Sequence, residues 1–184
     1  MAKKGTSGSE AFEQFYLSLY LERWTELKKA LLEERKNTVR PNGYAMDQAS
    51  IIAALALDVQ PDDHVLDLCA APGGKTLILA EGLTGHGTLI ANELSSARRA
   101  RLNTVLKEHL PENVLVKIKV TGRDGSKWGV HQKEAFERIL LDAPCSSEEH
   151  VLKSPKHLRD WTPARTKQLA QRQYALLCSA LLAL

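Results

Sequence analysis

The stretch VLDLCAAPGGKT, residues 65–76, carries the residue types to hold either a phosphate or an adenosyl ligand. Its last three residues, Gly74-Lys75-Thr76, match the end of a phosphate loop, in which successive backbone N–H groups curl around phosphate. The strand RILLD ending at Asp142 resembles the apolar strand and Asp that hold magnesium in nucleotide hydrolases. A phosphate loop also needs a glycine five residues before Gly74. Cys69 stands there, and Pro72 has no N–H to give. The second reading is the first turn of a β-α-β unit, where Gly73 and Gly74 let backbone approach a ligand closely. Glu93 falls at the end of the next strand, where a carboxylate can accept hydrogen bonds from both ribose hydroxyls. Asp124-Gly125 follows the third strand, in place to meet an adenine amino group, and Asp142 closes the fourth. Loop glycines, Glu, Asp and Asp at successive strand ends suit a neutral or cationic adenosyl ligand. A triphosphate would draw Lys and Arg instead.

These positions presuppose an alternation of strands and helices. Short apolar runs predict strands over 64–68, 88–92, 114–120 and 138–142, with helices over 74–82 and 95–109 between them. That order predicts an α/β fold with a parallel, doubly wound sheet. Upstream, Phe12, Phe15, Tyr16, Leu19, Trp24, Leu27 and Leu31 form one apolar stripe, predicting helix over 10–36 after a polar tail at 1–9. Pro41-Asn42-Gly43 marks a turn, and a helix over 46–57 follows with Asp47 near its start. Residues 1–42 therefore divide off as a tail and helical segment, with the α/β domain over 43–184. The last helix, 163–184, ends apolar and without a cap. In such a fold a helix there feeds another strand, so the chain is expected to stop short of a complete sheet.

Composition is consistent with a globular chain. Of 184 residues 43% are hydrophobic and 26% charged, and the net charge of +3 is too small to name a partner. Cys69, Cys145 and Cys178 show no C-x-x-C spacing, so neither a disulfide framework nor a metal site is expected. The N-terminus lacks an apolar signal region and no run is long enough to span a membrane, which predicts a cytoplasmic chain.

LDLCAAPGGKT followed about seventy residues later by LLDAPCSS resembles the Sun-type (Fmu/Nop2-like) RNA cytosine-C5 methyltransferases. The resemblance runs from about Gly43 to the last residue. It implies a Rossmann-like, S-adenosyl-L-methionine-dependent methyltransferase sheet of seven strands, of which the first four are present here. It also implies a donor site at Cys69, Ala70, Ala71, Pro72, Gly73, Gly74, Lys75, Glu93, Arg98, Asp124, Gly125 and Asp142. The chemistry explains the Pro-Cys pair. Carbon 5 of cytosine is a poor nucleophile until a thiolate adds at carbon 6, after which it can attack a sulfonium methyl. The base must leave its stack to be reached, and Asp142 is placed to hydrogen-bond its ring.

In the family the attacking cysteine belongs to a Thr-Cys motif on the strand after the last helix, and this chain ends at Leu184, before that motif. Cys145 resembles the family's second cysteine, which assists product release. The chain as it ends is expected to bind donor without transferring methyl. Ribosomal or transfer RNA is the expected partner, and a complete protein is expected to be a monomer. Residues 150–172 hold six Lys or Arg against one Asp. Lys153, Lys156 and Arg159 are the candidates for RNA backbone contact, with Trp161 open as either a stacking ring or a core anchor. Two alternatives remain at this point: a non-catalytic module that binds donor or RNA, and a phosphate-loop nucleotide hydrolase.

Overall fold

The computed structural model describes residues 8–34 and 36–184. In chain order the elements are α1 (Gly8–Tyr20), a 3-10 turn (Leu21–Arg23), α2 (Trp24–Leu32), β1 (Thr38–Val39), β2 (Ala45–Met46), α3 (Gln48–Leu55), β3 (His64–Asp67), α4 (Gly74–Gly82), β4 (Thr88–Asn92), α5 (Ser96–His109), α6 (Glu112–Leu115), β5 (Ile118–Thr121), a 3-10 turn (Gly125–Lys127), α7 (Trp128–His131), β6 (Arg138–Leu140), α8 (Glu148–Lys153), α9 (Pro155–Arg159) and α10 (Pro163–Ala183). They group into two compact units. One holds the described residues up to 34 with Cys145–Arg172, and the other holds Lys36–Pro144 with Gln173–Leu184.

The larger unit is built on a four-stranded parallel sheet in the order β5-β4-β3-β6, beside a two-stranded antiparallel ribbon of β1 and β2. Alternation along β3 sends side chains to both faces, as a doubly covered sheet demands. Val65 joins Leu89, Ile78, Leu79 and Leu140 on the α3–α4 side. Leu66 joins Trp128, Phe136, Leu176 and Ala180 on the opposite side. The order places β4 on one flank of β3 and β6 on the other, so the loop after β3 lies at the point where strand order reverses. In open α/β sheets that is where ligands bind.

The helices begin where the sequence supplies caps. Asp47 accepts from the Ser50 amide at 3.3 Å to start α3, and Ser95 accepts from the Arg98 amide at 3.4 Å to start α5. The third strand departs from expectation. Residues 112–115 are helical and the strand begins only at Ile118. Pro111 fixes the entry to a short turn of helix, and its carbonyl accepts from the amides of Val114 and Leu115. The β-branched composition of 114–120 does not override that local start.

The smaller unit is an aromatic-rich core. Phe12, Tyr16, Trp24, Val151 and Trp161 are all buried, with Phe15, Leu27, Leu31, Leu152 and Leu158 packed around them. The helix predicted over 10–36 is broken by the 3-10 turn, where Leu21 adopts a left-handed φ of 52°. Leu19 is 58% exposed, outside the stripe predicted for it. The polar tail expected at 1–9 lies outside the described residues through Ser7, and Gly8 already belongs to α1.

Candidate functional site

Four strand ends of the larger unit carry polar groups. The first is Asp67, the last residue of β3, which is almost fully buried. Its carboxylate accepts from the Thr76 hydroxyl at 2.7 Å. Burial raises its pKa to about 7, the Asp142 charge pushes the same way, and Thr76 and Lys75 pull against both. The loop then turns at Gly73, whose φ of 119° strains any side chain, with Leu102 and Val105 each 3.1 Å from where a Cβ would stand. At Gly74 a Cβ would fall 2.6 Å from the Tyr44 ring. Both glycines are buried, so they let the loop pack closely against α5 and Tyr44. A cavity of about 130 Å³ opens beside this loop, lined in part by Tyr44, Ser50, Asp67, Cys69, Lys75 and Asp142.

Glu93, directly after β4, is 5% exposed. One carboxylate oxygen accepts from the Ser95 amide at 2.8 Å. The other lies 3.0 Å from the Arg98 guanidinium but receives no well-directed hydrogen bond among the described residues. Arg98 also donates to the Ala71 carbonyl at 2.7 Å, tying the glycine loop to the acidic residue. Arg99 donates to the carbonyls of Glu93 and Leu94 at 2.7 and 3.0 Å. A buried carboxylate with unused acceptor capacity fits a diol.

After β5, Asp124 accepts from both the amide and the hydroxyl of Ser126 and so starts the turn at Gly125. Gly125 is buried, and a Cβ there would meet Leu176 at 2.8 Å and Leu68 at 3.2 Å. A hollow of about 420 Å³ adjoins, lined by Arg123, Asp124, Lys127, Trp128 and His131. Asn92 holds these pieces in place. Its amide donates to the carbonyls of Leu68 and Arg123, and its oxygen accepts from the Thr121 hydroxyl and the Arg123 amide. Asp142, two residues past β6, is 57% exposed and accepts from Lys75 at 2.6 Å, with the Ser50 hydroxyl 3.3 Å from the same ammonium.

The donor-site residues expected from the sequence, Cys69 through Lys75, Glu93, Arg98, Asp124, Gly125 and Asp142, all belong to the larger unit. Cys145, Lys153, Lys156 and Arg159 belong to the smaller one, and Cys145 is exposed. Lys153 pairs with Glu149 at 2.7 Å and Arg159 with Asp160 at 3.2 Å, exposed pairs of the kind that stabilise little. Trp161 is 3% exposed within the aromatic core, which settles it as an anchor rather than a stacking ring. Asp67 and Asn92 were missed. The signal available was a charged or amide residue at the end of an otherwise apolar strand, immediately before a ligand loop. Among the described residues no group of three or more His, Cys, Asp or Glu comes together as a metal site, and no helix is long and apolar enough to cross a membrane.

The parallel sheet with ligand-facing strand ends is the Rossmann-like methyltransferase fold. A methyltransferase homologue from Pyrococcus horikoshii superposes with a TM-score of 0.68 over 95% of this chain and 68% of its own, at 21% identity. The family model described as 16S rRNA methyltransferase RsmB/F matches residues 54–184, and the chain belongs to that family. The Sun-type resemblance is thereby borne out. A 5-cytosine rRNA methyltransferase, NSUN4, from Bos taurus is 48% identical over 112 residues, 59% of this chain and 29% of the relative. A mitochondrial tRNA (cytosine(34)-C(5))-methyltransferase from Danio rerio is 41% identical over 142 residues, 76% of this chain and 38% of the relative. The chain thus spans well under half the length of these relatives.

Proposed function

We propose that this chain supplies the donor-binding part of an RNA cytosine-C5 methyltransferase that uses S-adenosyl-L-methionine. The observation that carries the reading is that the turn at Gly73-Gly74, the under-used buried carboxylate of Glu93, and Asp124 follow the ends of three neighbouring parallel strands, tied together by Arg98 and Asn92. When bound, S-adenosylmethionine supplies an electrophilic sulfonium methyl. Glu93 would hold its ribose hydroxyls, Asp124 and Gly125 its adenine, and the loop from Cys69 to Lys75 the rest. Asp142 hydrogen-bonds the target cytosine ring, with its carboxylate positioned by the Lys75 ammonium 2.6 Å away. The Cys145 thiol assists release of the methylated base.

Lys153, Lys156 and Arg159 neutralise RNA phosphates. The acidic partners of Lys153 and Arg159, Glu149 and Asp160, are weak competitors at the surface. The relatives' names support both ribosomal and transfer RNA as the substrate class. We place the complete protein as a monomer in the cytoplasm, with the mitochondrion, named in one relative, as the alternative that fractionation would distinguish.

The test is donor titration of wild type against Glu93→Ala and Glu93→Gln, with circular dichroism as a fold check. Losing hydrogen bonds to a charged acceptor predicts donor affinity weakened by about tenfold or more in the alanine variant, and less in the glutamine variant. Wild-type affinity in a folded Glu93→Ala protein would remove Glu93 from the donor site.

A further inference from the structure

The residues that follow Cys145 are held by the N-terminal segment, to which the family match does not extend. Ser147 sits in the left-handed region, with φ 55° and ψ 53°, and makes no side-chain cap for α8. That backbone is uncommon for a serine, and the neighbouring Glu148 is tied down on two sides. One of its carboxylate oxygens accepts from the Ser146 hydroxyl, which closes the turn from one side. The same oxygen accepts from the Tyr16 hydroxyl at 2.6 Å, across 132 residues of sequence. Tyr16 is 3% exposed and has little freedom, since its ring lies 4.6 Å from Phe12 and 5.0 Å from Trp24, centroid to centroid. Burial works against the Glu148 charge, yet the hydrogen bonds from Ser146 and Tyr16 hold its pKa below the ordinary value. Burial and that carboxylate together push the Tyr16 hydroxyl up, so it stays a donor. The thiol itself lies 3.6 Å from the Ser147 hydroxyl, inside the turn being held.

We infer that Tyr16 and Glu148 are positioning residues for the Cys145 thiol, through a hydrogen-bond chain Tyr16–Glu148–Ser146 that fixes the turn after the cysteine. This deepens the role given to Cys145 above and rests on it. Neither residue touches substrate. They set the direction in which the thiol points. The N-terminal helices are then a part of the catalytic apparatus rather than only a packing layer.

Thiol alkylation tests this without donor or RNA, so its outcome is independent of whether the methyltransferase reading holds. Iodoacetamide labelling of the full chain, read peptide by peptide by mass spectrometry across a pH series, gives separate rates for Cys145, Cys69 and Cys178. Tyr16→Phe removes one hydroxyl, and Ser146→Ala removes the other without touching the aromatic core. Each is expected to change the Cys145 rate profile by about threefold or more, the effect of losing one hydrogen bond, with Cys69 and Cys178 unchanged. The effect of Tyr16→Phe should vanish in the Ser146→Ala background, because both act through one oxygen. Glu148→Gln, which still offers an acceptor, should keep the wild-type profile, and Glu148→Ala should not. If Tyr16→Phe disturbs the fold, accelerating all three cysteines, Ser146→Ala decides. A wild-type Cys145 profile in Ser146→Ala and Glu148→Ala would overturn the inference, as would equal changes at all three thiols in every variant.

Discussion

Asp67 makes stability depend on pH in a direction opposite to most carboxylates. It is fully enclosed at the end of β3, and its pKa rises from the ordinary 3.8 to about 7, chiefly because burial disfavours the charge. In the unfolded chain the group returns to the ordinary value. Between about pH 4 and pH 7 the folded state therefore binds more protons than the unfolded state, and stability falls as pH rises through that window. The full penalty is reached above pH 7. Each pH unit of difference is worth about 1.4 kcal/mol, so the total is about 4 kcal/mol as an upper bound, with about 3 kcal/mol of it developing between pH 5 and pH 8. Asp67→Asn removes the titration and keeps an oxygen to accept from Thr76. Urea denaturation of both proteins at the two pH values isolates the effect, since all other groups cancel in the difference. The variant's stability relative to wild type should climb by up to about 3 kcal/mol from pH 5 to pH 8. A difference that stays constant, or falls, with rising pH would refute the argument and mean that Asp67 is ionised inside the fold.

Asn92→Leu should lower stability by about 3 kcal/mol or more in urea denaturation, because it strands the Leu68 and Arg123 carbonyls and the Arg123 amide that the amide now satisfies. Gly73→Ala should both destabilise the chain and weaken donor binding, since its backbone is left-handed and Leu102 and Val105 crowd the space a Cβ needs; thermal melts and donor titration read the two effects. Replacing Lys153, Lys156 and Arg159 together with Ala should weaken RNA binding and reduce the slope of log affinity against log salt by about two to three, while donor affinity stays at the wild-type value.

The sequence was most legible where one residue type has one physical use. Gly73 announces a turn that no other residue tolerates, and Glu93 announces itself by following an apolar strand at the right remove. The strands over 64–67, 88–92 and 138–140 were legible because buried parallel strands are short apolar runs. The ribbon of β1 and β2 was not, since two residues per strand leave no periodicity. The start of the third strand was misread because the β-branched Val114 and Val116 looked stronger than the helical turn that Pro111 begins. The anchoring role of Arg99 was not legible because its partners are backbone carbonyls, which leave no trace in a pattern of side chains. Tyr16 and Glu148 were beyond reach for a related reason. Contacts across more than a hundred residues are set by the fold, not by local spacing.

The most direct test of the account is calorimetric titration of the purified chain with S-adenosylmethionine and, separately, with Mg-ATP. The glycine turn and the acidic strand ends predict saturable binding of the methyl donor and none of the nucleotide. Binding of ATP without the donor, by a chain with a folded circular-dichroism spectrum, would contradict the reading of residues 65–76 and of the site built around them.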